Sequence, residues 1–103
     1  MKKMAAIAAA LVFLAAQAQA KAYPPENCNG TEMTTVNLDR FGDNNLSVHP
    51  KPGAGPEIDE LFPGDDVCAI NRVGPWVHIQ YVRDGHAFTG WAHSRYLAEI
   101  RWR

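Results

Sequence analysis

Turn-forming residues break this chain every eight to ten residues and leave no room for a regular helix. Pro50, Pro52, Gly53, Gly55 and Pro56 crowd one short stretch. Pro63-Gly64-Asp65-Asp66, Gly74-Pro75 and Arg83-Asp84-Gly85 follow at short intervals. Such clusters fix bends or reverse the chain, because Pro locks φ and Asp and Gly supply turn conformations. The stretches between them alternate with a period of two. Trp76 to Val82 reads WVHIQYV: Val77, Ile79 and Tyr81 fall on one face, Trp76, His78, Gln80 and Val82 on the other. The apolar Val77 and Ile79 mark the first face as core. Thr34 to Leu38, Leu46 to His49, Val67 to Ile70 and Ala87 to Trp91 are further short strands rich in β-branched residues. Ile58 and Leu61 are expected to dip into the core from the intervening loop. The sum is five or six short strands, an all-β barrel or sandwich.

The first twenty residues are of another kind. Met1-Lys2-Lys3 is a positive start, Met4 to Ala16 is almost unbroken apolar chain, and Ala18-Gln19-Ala20 has the small-x-small pattern of a cleavage site. The run is shorter than the roughly 20 apolar residues of a membrane span, and no later segment is more apolar. The expectation is a signal peptide over residues 1–20 and export to the periplasm or beyond, with no stable membrane insertion after cleavage. Residues 21–32 then form an N-terminal extension, loosely held up to Cys28; 33–98 form the folded domain and 99–103 a tail.

Removing 20 of 103 residues leaves 83. A domain of that size buries only about 60% of its unfolded surface and needs a staple. Cys28 and Cys68, the two cysteines of the chain, are expected to supply it as one disulfide in an oxidising compartment. Without Lys2 and Lys3 the formal charge falls from −1 to −3. With no basic run remaining, nucleic acid and anionic lipid are poor partners.

Several of these pieces stand in a recognisable order. Leu46-Ser47-Val48-His49 comes first, then Pro52-Gly53, Ile58 and Leu61, Pro63-Gly64 and Gly74-Pro75-Trp76; Thr89-Gly90-Trp91 and Tyr96-Leu97 close the set. Over about fifty residues, Leu46 to Leu97, this resembles the bacterial SH3-like (SH3b) domains of cell-envelope proteins. His49 stands where that family usually has Arg, Lys51 where a Gly precedes the loop proline, and Ala92 where a Val follows the second Trp. The resemblance implies a small SH3-like barrel, here with an N-terminal extension tied by the disulfide. Gly90 would permit close backbone approach where the barrel completes itself. Trp91 would close one end of the core, and His93-Ser94-Arg95 would make one 3₁₀ turn before Tyr96 and Leu97 re-enter the sheet.

The resemblance also implies binding rather than catalysis, without a cofactor or metal. By analogy with peptide-binding SH3 domains, an aromatic groove is expected around Trp76, His93 and Tyr96, with His78 on the same strand face as Trp76. The expected ligand is a protein partner in the cell envelope; the alternative is peptidoglycan, through its glycan or stem peptide. A remote alternative is a small hydrolase using Cys68 with His78. The four histidines lack the spacing of zinc ligands; a pairing of His78 with His86 across the last hairpin is the one metal arrangement on offer, and solvated histidines on a strand face are the expectation instead. Asp59-Glu60 and Asp65-Asp66 are read as turn residues, and a domain this small offers little room for the cleft that a pair of catalytic carboxylates needs.

Overall fold

A computed structural model describes residues 20–101. The expected leader, apart from Ala20, and the final Trp102 and Arg103 lie outside the described residues. Seven strands form: β1 Thr31–Thr35, β2 Leu46–Val48, β3 Asp59–Leu61, β4 Asp66–Val73, β5 Trp76–Arg83, β6 His86–His93 and β7 Leu97–Glu99. Single 3₁₀ turns lie at Asp39–Phe41 and Ser94–Tyr96. Five strands make one antiparallel sheet in the order β6-β5-β4-β1-β7, and β2 and β3 make a two-stranded ribbon. The ribbon is tied to the sheet where His49 and Trp91 exchange both backbone hydrogen bonds, at 2.8 and 2.7 Å. The result is a small all-β barrel. Among the described residues no helix is long and apolar enough to cross a membrane.

Alternation along β5 is as the sequence requires: Val77, Ile79 and Tyr81 are buried, while Trp76, His78, Gln80 and Val82 are half-buried on the other face. Leu46, Val48, Leu61, Val67, Ala92 and Leu97 complete the core from the remaining strands. Each large apolar side chain buried in this way contributes roughly 1.5–3 kcal/mol. β6 delivers two inward positions without bulk, Gly90 and Ala92. At Gly90 this is obligatory: a Cβ would stand 2.4 Å from Val48 Cγ1 and 3.0 Å from the His49 carbonyl oxygen. The ribbon can cross β6 there because no side chain intervenes.

Several expectations need correction. Ile58 is 51% exposed and does not enter the core, whereas Leu61 is fully buried. Its neighbours Asp59 and Glu60 are strand residues paired with Val48 and Ser47, not a turn. Trp91 does not close the core. With Gly90 and Ala92 pointing inward, alternation turns Trp91 outward, where it stands half-buried. His86 lies opposite Arg83, and His78 opposite Trp91, so the two histidines do not face one another.

The N-terminal extension is part of the fold. β1 begins at Thr31, inside the segment assigned to the extension. Ala22 is fully buried; its N–H donates to Asp65 Oδ1 at 3.0 Å, and its carbonyl accepts from the Asp66 N–H at 2.9 Å. Tyr23 and Val82 exchange both backbone hydrogen bonds. Cys28 and Cys68 are disulfide-bonded with Cα atoms 5.7 Å apart, which ties this arm to the middle of β4. At the other terminus β7 runs through Glu99, and the Ile100 N–H donates to the Glu32 carbonyl, so the sheet extends into the expected tail.

Beneath the arm lies a buried polar cluster. Arg83 falls on the inward face of β5 and is 7% exposed. Its guanidinium donates to Asp59 Oδ2 at 2.7 Å and to the Glu60 carbonyl at 3.0 Å, and stands 3.7 Å from Asp65 Oδ2. The Tyr81 hydroxyl donates to the same Asp59 oxygen at 2.5 Å. Burial, and then that hydrogen bond, push the Tyr81 hydroxyl far above its ordinary range.

Candidate binding groove

The outward face of the β5–β6 hairpin opens on Trp76, the first residue of β5, whose cross-strand partner is His93, the last residue of β6. Their rings stand nearly edge-on, centroids 5.1 Å apart with planes at 72°. His93 then governs the chain that follows it. It remains extended while its Nδ1 accepts the Arg95 N–H at 3.1 Å, capping the Ser94–Tyr96 turn. That turn carries Tyr96 back beside His93, at 6.4 Å and 69°. Tyr96 in turn meets Phe41 of the first 3₁₀ turn edge-on, at 5.6 Å and 89°. On the other side, His49 leaves β2 and presents its ring edge-on to Trp76, at 6.0 Å and 89°.

Five rings therefore run in series, Phe41, Tyr96, His93, Trp76 and His49, each turned steeply against the next. Edge-to-face contact is the favoured arrangement for aromatic quadrupoles, and it makes ridges with slots between them rather than a flat plate. All but Phe41 line a shallow pocket of about 230 Å³, whose wall is completed by Asp43, Ser47 and Arg95 among others. The Pro50-to-Pro56 loop closes on the indole: a Cβ at Gly53 would stand 2.8 Å from Trp76 Nε1.

The polar groups around these rings are held by local bonds. The Tyr96 hydroxyl donates to Asp43, and chiefly because of that bond its proton is released only above the usual tyrosine range. Ser47 donates to Glu57. Arg95 lies over the Phe41 ring, 5.0 Å from its centroid. Arg72 donates to the Gly74 carbonyl at 2.8 Å and to Ser94 Oγ at 3.3 Å. Partial burial, together with the positive charges of Arg95 and Arg72, holds His93 below the ordinary imidazole range. A neutral ring is what its capping bond requires.

The structure thus brings together three of the four expected groove residues: Trp76, His93 and Tyr96. His78 is not among them. It lies further along the ladder, stacked on Trp91 at 4.6 Å and 6°, with Nε2 3.0 Å from Thr89 Oγ1. Phe41, His49, Asp43 and Arg95 were missed. Among them the sequence gives a signal at His49, where the SH3b pattern has Arg. Cys68 is buried and bonded to Cys28, so the Cys68–His78 pairing has no thiol to attack with. Among the described residues no three His, Cys, Asp or Glu side chains are grouped to hold a metal. No family model matches this chain, and no curated protein or solved structure matches it either.

Proposed function

We propose that this protein is an exported binding module of the bacterial SH3-like kind, which holds a segment of a protein partner in the cell envelope without acting on it chemically. The observation that carries the reading is the series of five rings, four of which line one pocket. Aromatic side chains that remain partly exposed and mutually braced offer apolar contact area at little entropic cost. A ridge-and-slot surface suits a narrow extended chain better than a flat sugar face, which favours a peptide segment over a wall glycan. The disulfide is consistent with a periplasmic or secreted location, and the ordered motifs from Leu46 to Leu97 support the SH3b assignment.

The test is retention on immobilised mature protein, wild type against Trp76→Ala, using envelope extract and purified peptidoglycan in parallel. Trp76 is half-buried on the outward face of β5, and retention of the fold in the variant is checked by far-UV circular dichroism and the absence of free thiols. The expected result is a specific envelope protein retained by wild type and lost from Trp76→Ala. Equal retention by both forms removes the groove from the reading. Wild-type binding to peptidoglycan that Trp76→Ala abolishes, with no protein retained, transfers the groove to the wall polymer.

A further inference from the structure

Two histidines flank Trp76, and local backbone fixes them in opposite tautomers. His93 Nδ1 accepts a backbone N–H, that of Arg95. A ring nitrogen that accepts cannot carry the proton, so in neutral His93 the proton is on Nε2, a donor. His49 Nδ1 lies 3.2 Å from the Gly55 carbonyl oxygen. A carbonyl only accepts, so Nδ1 carries the proton, and in neutral His49 Nε2 is an acceptor. Neither Nε2 has a hydrogen-bond partner among the described residues, and nor does the Trp76 indole N–H. Both histidines line the pocket with Trp76 between them, one ring having a free N–H and the other a free lone pair.

A peptide main chain offers the complement, a C=O and an N–H at fixed separation on a planar unit. Resting on the peptide-binding reading above, we infer that the groove recognises a main-chain amide of an extended segment: His93 Nε2–H donates to its carbonyl oxygen, and its N–H donates to His49 Nε2. The side chain or proline ring beside that amide packs against Trp76. Recognition of this kind tolerates many sequences but requires a free N–H at one place in the ligand. Burial, with Arg95 and Arg72 nearby, opposes protonation of His93, which would cost the turn its cap. Asp43, the carboxylate on this wall, is engaged by the Tyr96 hydroxyl.

The premise is tested without a ligand. A long-range ¹H–¹⁵N spectrum of the imidazoles at pH 8 is expected to show His93 protonated at Nε2 and His49 at Nδ1; the opposite tautomer in either ring overturns the inference and leaves the groove reading standing. The ligand chemistry is tested with the capped peptide acetyl-Pro-Pro-Ala-Ala-Pro-Pro-dimethylamide, whose only main-chain N–H groups are those of its two alanines. Binding is followed through the Trp76 indole resonance. N-methylation of both alanines is expected to weaken binding about tenfold, the cost of leaving one acceptor unpaired. In His49→Phe, which keeps a ring but loses the acceptor, methylated and unmethylated peptides should bind alike. Equal affinities in wild type overturn the inference while leaving Trp76 as the contact. Failure of every peptide to perturb Trp76, with N-acetylglucosamine oligomers doing so instead, overturns both the inference and the protein-partner reading.

Discussion

Replacing Arg83 by Met keeps the length and apolar stem of the side chain and deletes one buried charge. In the native fold the Arg83 and Asp59 side chains are 7% and 17% exposed, too little for solvent to screen their interaction strongly. The substitution strands Asp59, retaining only the Tyr81 hydroxyl, and leaves the Glu60 carbonyl without its guanidinium donor. Asp65 is less affected, since it also accepts from the Ala22 and Phe62 N–H groups. Breaking a buried pair on one side costs about 3–5 kcal/mol, most of it from the uncompensated charge left behind. Set against the roughly 5–15 kcal/mol of a typical domain, that is a large share. For a chain of this size it lowers Tm by at least about 12 °C.

Urea unfolding at pH 7, followed by tryptophan fluorescence, measures the loss. The second arm is the double variant Arg83→Met with Asp59→Asn, which keeps an acceptor for Tyr81 but removes the stranded charge. It should be more stable than Arg83→Met alone, because the penalty lies in the orphaned carboxylate rather than in the missing attraction. A loss below about 1 kcal/mol for Arg83→Met, the range of an exposed pair, would refute the reasoning. So would a double variant less stable than the single one, since the stranded carboxylate would then not be the main source of the loss.

The disulfide closes a loop of 40 residues in sequence separation, for which chain entropy suggests about 4 kcal/mol of stabilisation. The Cys28→Ser, Cys68→Ser double variant should show that loss in urea; an unchanged midpoint would mean that Asp65 and the Tyr23–Val82 bridge hold the arm by themselves. Alkaline pH should also destabilise the fold. Above about pH 10 the unfolded chain releases the tyrosine proton that folded Tyr81 retains, so the native state binds more protons and stability falls by roughly 1.4 kcal/mol per pH unit. Tyr96 shifts in the same direction. Tyr81→Phe should make the decline shallower, and an identical slope in the variant would show that Tyr81 is not its source.

What the sequence revealed was local, and what it concealed was long-range. The alternation of WVHIQYV, the Asp-Gly hairpin and the 3₁₀ turn near Ser94 are set by neighbours along the chain, and each is present. The turn comes one residue later than expected, over Ser94–Tyr96, so Tyr96 lies in it and not in the sheet. Arg83 shows the limit. Alternation alone places it on the inward face after Tyr81, but its charge and the following Asp-Gly argued for a solvated turn. Only Asp59 and Asp65, brought in from elsewhere in the chain, make the inward position tolerable. β3 was hidden for a related reason: three residues with two acids look like loop until Leu46 to Val48 pair with them. Trp91 was misplaced by its size, since a large indole argues for core while the glycine and alanine beside it show which way the strand faces.

The groove follows the same division. Trp76, His93 and Tyr96 lie on one continuous hairpin and turn, so their convergence follows from register; Phe41 and His49 reach them through tertiary contacts that no local pattern announces. This separation has a use. Trp76 and Arg83 stand at opposite ends of β5, seven residues or roughly 23 Å apart at strand rise. Changes in the buried cluster and changes in the ring series should then be nearly additive, so a loss of ligand in Trp76→Ala is not a disguised loss of fold. Gly90 admits Val48 to the core, and its closeness lets the His49 backbone bridge to Trp91. The wall of the groove that bears the His49 acceptor is therefore positioned by the absence of a side chain in β6, and core packing and ligand chemistry meet at that crossing.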